Sequence, residues 1–248
     1  MPVEVSLTGA VVAILILGSF VQGLTGFGLA LVSVPLLSLL LDVKTAVPLA
    51  GLFGWLVTFP LVYAMRAHIR WRTGLILFAA SLPGTWLGAE LLQRLPGGAI
   101  RAAMGVVLIV SSLHALRSRE PVLKSDRLPL ALGAGFCSGA LGAAVGEPGP
   151  PVIAYTSLVP WSSDEAKSTL AFFFMLQMMG ALASFWQKGL LTAEVFGLFL
   201  PALPGFVLGL GLGMAAYAVI RGRKLDFHKF VHLCLLAIGV VLIVKAAA

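Results

Sequence analysis

The sequence predicts an all-α, polytopic integral membrane protein of two inverted repeats, with about 8–10 transmembrane segments that include Gly/Pro-broken helices or hairpins. Three observations lead there. The chain is 59% hydrophobic and only 11% charged, with a mean hydropathy of +1.02, whereas soluble domains are about a quarter charged. One glycine motif occurs twice, once in each half. The basic residues, finally, gather in short segments between long apolar runs.

The apolar runs come first. Residues 46–64, 74–92, 99–116 and 166–186 are almost uncharged and reach the roughly 20 residues that a transmembrane helix needs. No long hydrophilic segment is left over for a soluble domain. The net charge of +7 does not mark a nucleic-acid-binding protein, because its Lys and Arg lie in segments such as RAHIRWR, RSREPVLKSDR and RGRKLDFHKF, the pattern of cytoplasmic loops. Cys137 and Cys234 lie inside apolar runs and read as small hydrophobes, not as a disulfide or metal site. The first twenty residues carry Glu4 and no basic cluster, so they are read as mature sequence and not as a secretory signal.

The repeat fixes the organisation. FVQGLTG at residues 20–26 and FCSGALG at 136–142 share the spacing F-x-x-G-x-x-G, and Pro35 and Pro151 recur at the same offset. LPGTWLG at 82–88 is matched by LPGFVLG at 203–209. The reading is a first repeat over residues 1–118, a basic cytoplasmic linker over 119–127 and a second repeat over 128–248. Five segments are expected in each: 5–21, 27–41, 46–64, 74–92 and 99–116, then 128–141, 151–159, 166–186, 193–220 and 230–244.

Charge tests the count. With five segments per repeat, 12 of the 17 basic residues fall on one side and 5 on the other. Fusing the first two segments of each repeat would leave 8 against 9. Cytoplasmic loops carry the excess of Lys and Arg, so five is preferred. An odd count inverts one repeat relative to the other and places both termini outside the cytoplasm, in a cell (inner) membrane. The second segment of each repeat is short, so each first pair is either two spans or a re-entrant hairpin.

Glycine costs roughly 1 kcal/mol and proline roughly 3 in a helix interior. Their clustering in VQGLTGFGLALVSVP and GAAVGEPGPP therefore marks interrupted helices. Corresponding interruptions in two halves of a transporter point to its substrate site. The candidate substrate-binding residues are Gln22, Gly23, Thr25, Gly26, Gly28, Ser33 and Pro35 in the first repeat, with Ser138, Gly139, Gly142, Gly146 and Pro151 in the second. Unpaired backbone groups are costly in lipid, so both breaks are expected to face protein or water. The N-terminal ends of the half-helices that follow would then offer N–H groups to an anion. Glu147, the one acid in these segments, is the proton-coupling candidate. Its alternative is a loop carboxylate at the outer surface.

Other readings are less well supplied with residues. A hydrolase using Ser138 would need a base in reach, and His114 and His232 lie near segment ends. No histidine has a metal-ligand pattern beyond the spacing of His228 and His232. No G-x-x-x-x-G-K-[ST] motif is present for ATP-driven pumping. Neither a catalytic residue nor a metal or other cofactor is assigned. A passive anion channel stays open, as does a homo-oligomer.

FVQGLTGFGLALVSVPLLSLLLD, the AHIRWR loop, LPGTWLGAELLQRLP and the duplicated second half together resemble the sulfite exporter TauE/SafE family of membrane permeases, over essentially the whole chain. The resemblance implies transport of a small sulfur-containing anion, sulfite or an organosulfonate. It also implies that Gly23, Gly26, Gly28, Pro35, Gly139, Gly142 and Pro151 line the substrate path. The second copy departs from the first, with Ala144 where Gly28 stands and with an acidic residue added.

Overall fold

Among the described residues ten α-helices follow one another, in the order of the apolar segments expected. In the computed structural model, which describes residues 2–25, 28–116, 123, 125–220 and 227–247, they are α1 (Pro2–Thr25), α2 (Leu29–Leu40), α3 (Val43–Met65), α4 (Trp71–Arg94), α5 (Gly97–Ala115), α6 (Leu128–Val145), α7 (Gly149–Leu158), α8 (Ser163–Gln187), α9 (Ala193–Ile220) and α10 (Phe227–Ala247). A 3₁₀ turn, Arg66–His68, joins α3 to α4. Among the described residues there is no strand. Among the described residues, seven helices are long and apolar enough to cross a membrane, while α2, with 12 residues, and the stretch Leu233–Ala246 of α10 are shorter apolar helices and α7 has 10 residues.

The helices form two compact units, each drawing on both halves of the sequence. One unit holds α1, α2, α5, α9, α10 and the start of α3. In it α1 packs along α9, and α5 along α10. The other holds the rest of α3 with α4, α6, α7 and α8, and there α4 packs along both α6 and α8. The first helix of each sequence half thus lies along the fourth helix of the other half.

Small residues allow these pairings. A methyl group on Gly23 would meet the Leu210 carbonyl of α9, and one on Gly213 would meet the Phe20 carbonyl of α1. In the second unit Gly84 and Gly88 lie against the Phe136 and Ala140 carbonyls, while Gly139 lies against that of Ser81. Glycines at such crossings let two backbones approach within lipid. Gly23 therefore does not break α1, which runs on to Thr25. Close contact with α9 offsets the helix-weakening cost that had suggested an end near residue 21. Gly139 likewise sits inside α6, which ends at Val145 rather than at residue 141.

Ionic ties hold the second unit at two places. Arg70 pairs with Glu165 at 2.9 Å, and Glu165 closes a capping box with Ser162 at the start of α8. Near the far ends of α4 and α8, Glu90 pairs with Lys188 and Arg94. In the first unit the C-terminal carbonyls of the short helix α2 accept from cations: Arg101 Nε reaches Ser38 O at 2.9 Å and Lys245 Nζ reaches Leu39 O at 3.1 Å. Such donors complement the negative end of a helix dipole.

Candidate functional site

One break lies between the end of α1 at Thr25 and the start of α2 at Leu29, the other at 146–148 between α6 and α7. Their offset is 120, not the 116 of the repeated motif. The difference is about one helical turn, so the second F-x-x-G-x-x-G ends inside α6, a turn short of its break. Among the described residues, each break has a glycine in the left-handed region, Gly28 at φ 114° and Gly146 at φ 77°. A side chain is disfavoured there.

In the first unit, Gly28 caps α2 and its carbonyl accepts the first bond of that helix, from Val32 N at 3.0 Å. Gln22 reaches across the break, its Oε1 accepting from Leu29 N at 3.1 Å. It thereby satisfies one of the N–H groups that a helix start leaves outside its own ladder. The amides of Gly28, Ala30 and Leu31 are the other three at this end. No charged side chain belongs to the break sequence, so a helix start with its positive dipole end is the main electrostatic feature here. Ser33 is fully buried and faces Gly18 of α1, with no hydrogen-bond partner for its Oγ among the described residues. Pro35 lies inside α2, buried, and its carbonyl accepts from Ser38 Oγ at 2.7 Å. Gly26 and the side chain of Thr25 lie outside the described residues.

The second unit is built differently. Gly146 N donates to Gly142 O at 3.1 Å and Glu147 N to Leu141 O at 3.4 Å, which closes the end of α6. Ser138 Oγ donates to the carbonyl of Pro148. Ser138 stands at the motif position of Gln22, and both side chains tie the first helix of their pair to the start of the second. Its hydroxyl proton is directed at a carbonyl, so Ser138 latches α6 to the start of α7.

The start of α7 carries few donors. Pro148 is its N-cap, and Pro150 and Pro151 occupy its second and third positions. Of the four N–H groups that a helix start would leave free, only that of Gly149 exists, since proline has none. The expected pair of matching anion-binding ends is therefore unequal: α2 starts with several amides and α7 with one. Beside the poorer end stands a carboxyl group instead. Glu147 is 1% exposed, and its Oε1 has no hydrogen-bond partner among the described residues. The side chain is thus enclosed by protein within its unit.

One residue of this region was not expected from the sequence. Gln177, in the middle of α8, is 0% exposed, and neither its Oε1 nor its Nε2 has a partner among the described residues. A methyl group on Gly142 would stand 2.7 Å from Gln177 Nε2 and 2.9 Å from Pro148 Cβ. The second unit thus brings together Ser138, Gly142, Gly146, Glu147 and Pro148, with Gln177 on the neighbouring helix, while Gly139 turns instead to Ser81 and Thr85 of α4. The signal for Gln177 was a lone amide in the apolar stretch FFFMLQMMGALASF.

Among the described residues, no group of three or more His, Cys, Asp or Glu side chains is placed to hold a metal ion. Searches of curated proteins and of solved structures give no match. A profile of the sulfite exporter TauE/SafE family matches residues 10–242, nearly the whole chain, and the protein belongs to that family.

Proposed function

We propose that this protein is a secondary transporter that carries a small anion, sulfite or an organosulfonate, across the cell membrane by alternating access. Membership in a family of sulfur-anion permeases supports the substrate class. The observation that carries the mechanism is the pair of interrupted helices, α1 to α2 and α6 to α7, each bridged by a side chain at the same motif position, Gln22 or Ser138. Discontinuous helices in corresponding places of two repeats are where transporters bind substrate and coupling ion.

In this reading the two breaks divide the work. The start of α2, rich in amides and free of charge, meets the oxyanion. Glu147, beside the proline-blocked start of α7, binds and releases the coupling proton. Protonation of Glu147 accompanies anion movement in this reading, so proton and substrate travel together. The membrane potential acts only on the net charge moved, at about 2.3 kcal/mol per charge per 100 mV, and drops out when one proton accompanies a singly charged anion. The two repeats are inverted, and both termini lie outside the cytoplasm, as the distribution of basic residues favours.

Reconstitution tests this. Purified protein in liposomes should move sulfite or a sulfonate saturably, and an imposed proton gradient or potential should drive accumulation. Flux that rises linearly with concentration and never accumulates would favour the passive channel. No flux of any sulfur anion in either direction would sink both.

A further inference from the structure

Beside the second break, three polar atoms on two buried residues have no hydrogen-bond partner among the described residues: Oε1 and Nε2 of Gln177, and Oε1 of Glu147. Both side chains are at most 1% exposed. Buried polar groups in proteins nearly always have partners, and within a membrane the cost of leaving them unpaired is higher still. The two residues are linked through Gly142 and Pro148. A methyl group at position 142 would collide with both Gln177 Nε2 and Pro148 Cβ, so only glycine lets α6 pack this closely against the amide, and Glu147 is the residue before Pro148.

We propose that Gln177 is a substrate-binding residue whose amide selects an oxyanion carrying one proton of its own, such as hydrogen sulfite. This rests on the transport reading above. A primary amide has a donor face and an acceptor face. Nε2 donates to an S–O oxygen, and Oε1 accepts from the ligand's O–H group. An acceptor-only anion such as methanesulfonate satisfies the donor face and leaves Oε1 buried and unpaired. Sites built to hydrogen-bond a hydroxyl reject analogues that lack one far more strongly than apolar pockets reject a missing methylene.

The test is thermal unfolding and titration of the purified full-length protein in detergent, at mildly acidic pH where sulfite carries one proton, with sulfite and methanesulfonate as ligands. The wild type should be stabilised by sulfite and at least tenfold less sensitive to methanesulfonate. Gln177→Met keeps the length and bulk of the side chain. Without ligand it should unfold at the same temperature as wild type or higher, because it removes a buried amide that lacks partners. It should also bind sulfite at least tenfold more weakly. If Gln177→Met does not fold, Gln177→Asn, which withdraws the amide by one methylene, should show the same tenfold loss. Unchanged sulfite affinity in the variant that folds overturns the role of Gln177. Equal affinity of wild type for the two ligands overturns the selection for a protonated anion. A wild type that binds neither ligand defeats the transport reading itself, a result distinct from the other two.

Discussion

Gln22 Oε1 accepts the amide proton of Leu29 at 3.1 Å, so the last full turn of α1 caps the first turn of α2 across the break. The bond joins two residues seven apart in sequence and fixes the direction in which α2 leaves α1. At the same motif position in the other half, Ser138 holds the carbonyl of Pro148. One side chain accepts and the other donates, because the groups offered to them differ. The break after α1 presents N–H groups, and the break after α6 presents a carbonyl between prolines.

Removing either tie should cost stability. Loss of a helix cap is worth about 1 kcal/mol, and within a membrane the freed N–H has no water to turn to. Gln22→Leu should lower the unfolding temperature in detergent by a few degrees. Gln22→Glu keeps an acceptor and adds a negative charge beside the proposed anion position, so it should unfold near the wild-type temperature but show a raised KM for sulfite flux. A Gln22→Glu protein with unchanged KM would place the anion elsewhere.

Ser138→Ala separates latch from nucleophile. A hydrogen bond to a carbonyl contributes about 1 kcal/mol net, so the variant should be modestly less stable and should keep transport within a few-fold of wild type. Complete loss of function in a folded Ser138→Ala protein would revive hydrolytic chemistry.

Most of the fold was legible in the sequence because lipid imposes one rule on every segment: the backbone must satisfy itself, so an apolar run of sufficient length is a helix. All ten helices follow from such runs. Their ends were harder to read. Gly23 and Gly139 carry the same helix-weakening cost wherever they stand, and only their contacts with the carbonyls of Leu210 and Ser81 show that they pack helices together. The unequal chemistry of the two breaks was written in GEPGPP, since three prolines remove three donors, but the repeat drew attention to what the halves share. Gln177 was invisible for another reason. A single amide in a span usually hydrogen-bonds a neighbouring helix, and only its lack of partners sets it apart.

Gly142 and Gly139 should respond differently to bulk. Gly142→Leu would push against the Gln177 amide and Pro148, so it should abolish transport while the protein still inserts and can be purified. Gly139→Leu would drive α6 away from the backbone of α4 at Ser81. It should destabilise the unit as a whole, seen as poor yield or a lowered unfolding temperature. Transport by Gly142→Leu at the wild-type rate would remove this region from the substrate path.

The orientation of the chain can be checked without transport. Single cysteines placed in RSREPVLKSDR and in the C-terminal VKAAA, in a background lacking Cys137 and Cys234, should differ in labelling by a membrane-impermeant thiol reagent applied to intact cells. The C-terminal site should react and the linker site should not. A protected C-terminus would make the number of crossings in the second half even and remove the inverted relation between the halves.

Glu147 gives the last expectation and the strongest constraint on mechanism. Its side chain is buried, its Oε1 has no partner among the described residues, and the helix start beside it supplies a single amide. A carboxylate held there permanently would repel an anion arriving in the same region. A carboxyl group that takes up a proton with the substrate and releases it afterwards would not. Glu147→Gln imitates the protonated form. In liposomes it should still bind sulfite, with an affinity within a few-fold of wild type, and should exchange it across the membrane. Accumulation driven by a proton gradient should be lost. Its exchange rate should also be flat over the pH range in which the wild-type rate changes, because the group that titrates has been removed. Glu147→Asp keeps the proton but shortens the side chain, so it should retain part of the pH dependence. If Glu147→Gln accumulates sulfite against a proton gradient as wild type does, proton coupling through this residue is wrong. The driving force would then be the membrane potential alone, acting on an anion held at the amide-rich start of α2.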